Sequence, residues 1–170
     1  MYARPWTRVK SAIPMRKTIL ATPIGNLVVE YEGDFVLAVR ATDAGVLAAR
    51  DAFAREAQKQ LKAWFAGRLK KFDIPFLFPD ATDFQVRVWD QITRIPFGAT
   101  QTYGEIAREI KSGPRAVGGA CRCNDLLLIV PCHRVVAVTG LGGFMGDRDG
   151  SLVRRKQWLL EHEQKFQNRC

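Results

Sequence analysis

Residues 129–136 read Ile-Val-Pro-Cys-His-Arg-Val-Val, so a thiol, an imidazole and a guanidinium stand on consecutive positions inside an apolar run. A cysteine sulfur attacks carbon as the thiolate. An unperturbed thiol near pKa ~8.5 is only a few per cent ionised at neutral pH, and a nearby base or cation raises that fraction. Cys132 is therefore a candidate nucleophile, with a small buried hydrophobe as the plainer alternative. The chain has two histidines, and His133 is one of them. Adjacent residues on a strand point to opposite faces, so adjacency alone does not bring the imidazole to the sulfur; a local turn or a bridging water is needed.

A third group lies near the C-terminus. Residues 150–166 read as a helix whose stripe holds Leu152, Leu159, Glu163 and Phe166. A carboxylate on an apolar stripe requires a partner. His133 is one candidate, which would give a relay from carboxylate to imidazole to thiol; a lysine or arginine at the helix rim is the other. His162 neighbours Glu163 on the same helix and points elsewhere. Zinc is a poor fit to Cys121, Cys123, Cys132 and His133. Residues two apart on a helix diverge by about 200°, and the spacing matches no common zinc ligand pattern. No metal and no cofactor are expected.

Upstream, residues 102–125 carry a helix from Tyr103 to Ile110, a turn at Lys111-Ser112-Gly113, and a second helix opened by Pro114, which loses little at a first helical position. This is the spacing of a helix-turn-helix. On the second helix Val117, Cys121 and Asn124 share one face. Arg115, Gly119 and Arg122 share the other, with Gly118 beside them. Two helical glycines cost roughly 1 kcal/mol each against alanine. Either a nucleic-acid groove approaches this bare face, or the glycines allow tight helix packing.

The elements that must position these groups are legible in outline. Residues 18–40 read as strands broken at Pro23–Asn26 and Glu32–Asp34, with Leu27, Val29 and Tyr31 on one face and Phe35, Leu37 and Val39 on another. Residues 44–66 read as a helix carrying Leu47, Leu61, Trp64 and Phe65 and ending at Gly67. Residues 73–83 read as a linker. A helix capped by Thr82 or Asp83 follows, with Phe84, Val88, Ile92 and Ile95 as its stripe, stopped by Pro96 and Gly98. The expected architecture is α+β: a basic arm at 1–17, a small α/β domain at 18–80 with a helix on an antiparallel sheet, and a mostly helical domain at 83–166. Lys and Arg number 26 against 17 Asp and Glu, a net charge of +9, which favours a polyanionic partner. No apolar run approaches the ~18 residues of a membrane span. The four cysteines show no secreted disulfide pattern, and a reducing compartment is expected.

"TYGEIA", "RAVGGACRCN", "LLLIVPCHRVV" and "RKQWLLEHE", in this order, resemble the O6-alkylguanine-DNA alkyltransferases, also called methylated-DNA–protein-cysteine methyltransferases. The likeness is strong over 83–163 and weaker over 18–80, where "TPIGNL" and "WFAGRLKKFDIPF" still resemble the family's N-terminal, ribonuclease-H-like domain. It implies a single-turnover enzyme that binds duplex DNA, flips out an O6-alkylguanine (with O4-alkylthymine a further candidate) and moves the alkyl group irreversibly onto Cys132. Flipping is required because O6 is out of reach inside a duplex. By the same resemblance His133 acts as base through water and Glu163 orients it. Asn124 ties the cysteine turn to the helix-turn-helix, and Tyr103 donates a proton towards the leaving guanine. Arg115 fills the vacated stack, beside a DNA face of Ala116, Gly118, Gly119, Arg122 and Tyr103. Arg134, Val135, Phe144, Met145 and Gly146 line the substrate pocket. A monomer in the cytoplasm, at the nucleoid, or in the nucleus is expected.

The pattern departs from the family in three places. Cys123, Asp125 and Leu127 stand where glycine and prolines are frequent. Met145 takes a position often held by a small residue. "DRDGS" at 147–151 lengthens the loop before the last helix. Two other readings compete: a lesion-binding module without chemistry, which the presence of Cys132 disfavours, and an unrelated Cys–His hydrolase or redox protein. "GLGGFMG" lacks the spacing and lysine of a phosphate loop.

Overall fold

Residues 14–147 and 150–168 are described by the computed structural model. Most of the proposed basic arm, part of the 147–151 loop, and Cys170 lie outside them. Three antiparallel strands, β1 (Arg16–Leu20), β2 (Asn26–Glu32) and β3 (Phe35–Thr42), form one sheet in the order β1-β2-β3. Leu27, Val29 and Tyr31 of β2 are buried, as their alternation requires. On β3 the expected stripe fails. Tyr31 pairs with Val36 but Glu30 pairs with Ala38, so Leu37 is the extra residue of a bulge. An inserted residue flips the side-chain phase. Val36 and Val39 therefore both enter the core while Phe35 is exposed.

The helix α1 (Ala52–Phe65) begins later than the sequence suggests. Asp51 caps it by accepting from the Ala54 N–H at 2.8 Å. Leu47 is not helical; it exchanges hydrogen bonds with Ile19 at 3.0 Å and adds a bridge to the sheet edge. Gly67, with φ +71°, ends the helix: its N–H reaches Trp64 O, and that of Arg68 reaches Ala63 O, each at 2.9 Å. This left-handed closure favours glycine, and a side chain there would overlap the ring of Phe166.

The segment at 73–83 is irregular but packed. Val36 bonds to Pro75 O and to the Leu77 N–H, and Phe78 lies 4.8 Å from the ring of Trp89. Thr82 and Gln85 form a reciprocal capping box that opens α2 (Asp83–Thr93). A second box, Thr102 with Glu105, opens α3 (Tyr103–Glu109) immediately after β4 (Gln101–Thr102). A turn at 110–113 leads to α4 (Pro114–Arg122), capped by Gly113. A 3-10 turn at Cys132–Arg134 precedes β5 (Val135–Val136), which pairs in parallel with β4, and α5 (Ser151–Phe166) closes the described fold.

Both halves contribute to one continuous core, from Leu27, Val39 and Trp64 to Val88, Ile106, Val117 and Leu159. The seam is stitched directly. Val39 N–H donates to Asp125 O at 2.7 Å and Leu127 N–H to Val39 O at 3.0 Å. Arg40 forks onto both carboxylate oxygens of Asp125 at 2.9 and 3.2 Å. No helix among the described residues is long and apolar enough to cross a membrane.

Candidate active site

The apolar run around Cys132 is not one strand. Cys132, His133 and Arg134 occupy a 3-10 turn, where successive side chains diverge by about 120°. The sulfur of Cys132, a residue only 6% exposed, receives the Asn124 Nδ2 donor at 3.1 Å. The same amide nitrogen donates to Val130 O at 2.9 Å, while Asn124 Oδ1 accepts from Leu126 N–H at 2.9 Å. One side chain thus fixes the loop between α4 and the cysteine turn. Burial pushes the Cys132 thiol well above its ordinary pKa, and contact with Cys121 adds to the rise; the Asn124 hydrogen bond and the charge of Lys156 oppose it. The resting sulfur is therefore a thiol, and reaction at carbon requires a base.

His133 and Glu163 meet at 2.8 Å through Nε2 and Oε1, and both are almost fully buried. The carboxylate does not stand alone with the imidazole. Arg134 donates from Nε to Oε1 at 3.1 Å and Oε2 at 2.9 Å, and from Nη2 to Oε1 at 2.8 Å. Gly98 N–H adds a bond to Oε2 at 2.9 Å. Burial by itself would raise the Glu163 carboxyl, but its bonds to His133 and Arg134 and their charges outweigh that and bring it down to about 2. Burial lowers His133, and its bond to Glu163 only partly compensates. Arg134 is the permanent charge beside Glu163, while His133 contributes its hydrogen bond and adds charge only when protonated.

This network dictates a tautomer. An ionised carboxylate only accepts, so Nε2 must carry the hydrogen and Nδ1 must carry the lone pair. Nδ1 is buried and has no protein hydrogen-bond partner. Arg134, expected to line the pocket, instead turns to Glu163 and donates from Nη1 to Ile95 O at 2.6 Å.

A second buried network shapes the opposite wall. Tyr103, at the start of α3, donates its hydroxyl to Gly143 O at 3.1 Å. Burial, with the nearby Cys121 and Cys132 sulfurs, pushes its phenol up to about 12. Lys156, fully buried on α5, donates to Val135 O and Leu141 O at 2.6 Å each and to Gly143 O at 3.0 Å. Its Nζ lies 5.6 Å from the Tyr103 ring centre, and burial lowers it to about 8. Phe144 and Asp147 exchange backbone hydrogen bonds at 2.9 and 3.0 Å around Met145 and Gly146. Met145 has φ +51° and Gly146 φ +92°, so this two-residue turn keeps a methionine in a left-handed conformation. Val135 and Phe144 are buried beside it.

On α4 the inner residues Val117 and Ala120 are buried, and Trp89 Nε1 donates to Ala120 O at 2.9 Å to seat the helix on α2. Arg115, Ala116 and Arg122 are exposed. A Cβ built on Gly119 would meet nothing within 4 Å, and one on Gly118 only the edge of Tyr103 at 4.0 Å. Helix packing therefore does not explain the two glycines. Cys123 is exposed, whereas Cys121 is half-buried against the Cys132 sulfur. Among the described residues no three His, Cys, Asp or Glu side chains are placed to hold a metal ion.

Residues 83–165 match the model of the 6-O-methylguanine DNA methyltransferase DNA-binding domain. A methylated-DNA–protein-cysteine methyltransferase of Mycobacterium leprae is 40% identical over 152 residues, covering 84% of this chain and 88% of that protein. The chain belongs to the methylated-DNA–protein-cysteine methyltransferase family. Its relative of that name from Methanosarcina acetivorans is 48% identical over 114 residues, 65% of this chain and 69% of that protein. A Mycobacterium tuberculosis member solved in complex with DNA superposes with a TM-score of 0.75 at 37% identity, over 88% of this chain and 93% of that one.

Sequence reasoning missed three members of the site in this methyltransferase and misjudged the role of a fourth, Arg134. Lys156 was detectable, since it falls between Leu152 and Glu163 on the same α5 stripe, a second charge on an apolar face. The role of Arg134 as the partner of Glu163 was hidden by assuming a strand. Trp64, whose ring stands 6.2 Å from that of His133, and Cys121 left no signal beyond a core pattern.

Proposed function

We propose that Cys132 is the alkyl acceptor and His133 its base in a direct-reversal DNA repair protein. The observation that supports this most strongly is the Glu163-fixed imidazole, whose Nδ1 lone pair is buried and unpartnered on the residue that directly follows a thiol kept protonated by burial. In the proposed step the thiol proton passes to His133 Nδ1 through a bridging water. The sulfur then bonds the alkyl carbon as the carbon–O6 bond of the guanine breaks. Tyr103, protonated at neutral pH, supplies a proton towards the leaving base, and the sulfur ends as a thioether. Nothing in this step restores the thiol, so each molecule acts once. Asn124 aims the sulfur, and Lys156 ties down the carbonyls of the loop that carries Gly143 and Met145.

The damaged nucleotide reaches the sulfur by leaving the duplex. The open glycine face of α4 suits close approach to the minor groove, and Arg115 at its edge is assigned to the gap in the stack. The same reading makes the protein a monomer that works on genomic DNA in the cytoplasm or nucleus. A single experiment tests it: incubate the protein with duplex DNA containing O6-methylguanine, and map the mass change. One methyl on the Cys132 peptide and one turnover per molecule is the expected result. Tight binding without a mass change would make it a lesion-recognition module instead. In the same assay Arg115→Ala should slow repair of duplex more than reaction with free O6-benzylguanine; equal slowing refutes the stack-filling role.

A further inference from the structure

Two sulfurs, not one, occupy this site. The Cys121 thiol lies beside that of Cys132 and raises its pKa. Its position follows from the backbone: Asn124, whose Nδ2 touches the Cys132 sulfur, lies three residues after Cys121, and its N–H bonds to Cys121 O at 3.3 Å. Asn124 thereby ties both cysteines to one turn of chain. Trp89 anchors the preceding carbonyl. Cys123 is two residues on, about 200° around the helix, and exposed. Both Cys121 and Cys132 are free thiols, and alkyl transfer as derived above gives Cys121 no task.

We infer that Cys121 is a resolving thiol for Cys132, converting oxidation of the acceptor sulfur into a reversible Cys121–Cys132 disulfide. The oxidant is hydrogen peroxide. Cys132, deprotonated by the same imidazole, attacks one peroxide oxygen; the O–O bond breaks, hydroxide leaves, and the sulfur becomes a sulfenic acid. Cys121 then attacks that sulfur, the S–O bond breaks, and water leaves with the remaining proton. Two thiols lose two electrons to one peroxide, and two waters form. A dithiol returns both electrons by exchange. Without a partner, a sulfenic acid proceeds to sulfinic and sulfonic acids, which a thiol does not reverse. A disulfide requires the sulfurs to close to about 2.05 Å, and half-buried Cys121 is the side chain able to turn.

The inference rests on Cys132 being the reactive nucleophile, but its test needs no DNA. The full chain in a Cys123→Ser, Cys170→Ser background is treated with hydrogen peroxide, blocked with iodoacetamide and digested. A linked Cys121–Cys132 peptide that lacks two hydrogens and is opened by dithiothreitol is expected. Acceptor capacity, assayed on an O6-methylguanine duplex before and after, should be lost with peroxide and regained with dithiothreitol. In Cys121→Ser and Cys121→Ala on the same background, peroxide should carry Cys132 to the sulfinic acid, and dithiothreitol should restore none of the lost capacity. Sulfinic acid at Cys132 in the chain that keeps Cys121, formed as fast as in the two variants, would overturn the proposal. So would recovery with dithiothreitol that is equal with and without Cys121. A linked peptide in a protein unable to accept methyl would instead leave the resolving pair standing and remove the repair reading.

Discussion

Replacing Glu163 by glutamine removes one charge and almost no volume, so it isolates what the carboxylate does. The wild-type carboxylate is fully buried and accepts from His133, Arg134 and Gly98. Glutamine keeps one oxygen for these donors and turns an NH2 group towards the rest. The guanidinium of Arg134, itself buried, keeps only the carbonyl of Ile95 as a full acceptor. Breaking a buried pair from one side costs about 3–5 kcal/mol. Urea unfolding of Glu163→Gln should show this loss, equivalent to about 6–20 °C in Tm for a chain of this size. Methyl transfer should slow as well, because an amide NH2 facing Nε2 favours the tautomer with hydrogen on Nδ1, which cannot take the thiol proton. Removing a positioned base typically costs about 10²–10⁴-fold, and a loss near the lower end is expected. Adding Arg134→Met separates the two effects. It takes away the stranded cation, so stability should recover by about 1–3 kcal/mol while the rate stays low. A single variant within about 1 kcal/mol of wild type, or a double variant that regains the rate, would refute the reasoning.

Three further outcomes are expected. Because burial holds His133 below its ordinary 6.5, the methyl-transfer rate should stay level as pH falls through that value and drop only below it; a midpoint above 6.5 contradicts the assigned environment. Stability follows the same sign: both His133 and Glu163 have lowered folded values, so their contributions are present above the unfolded values and are lost on acidification, Glu163 between 4.5 and about 2, as acid titration of the urea midpoint will show. Gly119→Ala meets nothing within 4 Å and should raise stability by up to about 1 kcal/mol while weakening duplex binding in a fluorescence anisotropy titration; unchanged affinity would remove this face from the DNA interface. Arg40→Ala should cost under about 1 kcal/mol in urea unfolding, because the Arg40–Asp125 pair is half exposed, and a loss above about 2 kcal/mol would show that the seam depends on it.

What could be read in advance followed from periodicity and punctuation. The stripe of α2, the turn at 111–113, the proline opening α4 and the glycine closing α1 are local signals, and each element formed where they stand. Leu47 and the stripe of β3 were misjudged because both depend on partners distant in sequence: Leu47 joins Ile19 across the sheet edge, and the bulge at Leu37 is imposed by pairing with β2. The same division holds at the site. Glu163 was conspicuous as a carboxylate on an apolar stripe, and its contact with His133 was an open alternative to a basic residue. The fold provides both, since Arg134 reaches the same carboxylate. That outcome needs the 3-10 turn, which no pattern of alternation predicts. Asp125 likewise makes sense only beside Arg40 on β3.

The tight turn at Cys132–Arg134 has a consequence for how such a chain can change. Each side chain there owes its direction to its ordinal place, so losing or gaining a single codon between Pro131 and Val135 would rotate thiol, imidazole and guanidinium into one another's stations. Substitution elsewhere alters degree, but a frame-preserving indel at this point scrambles identity. Divergence in length is thereby channelled towards segments such as the stretch before α5, where additional residues leave the turn's own count untouched.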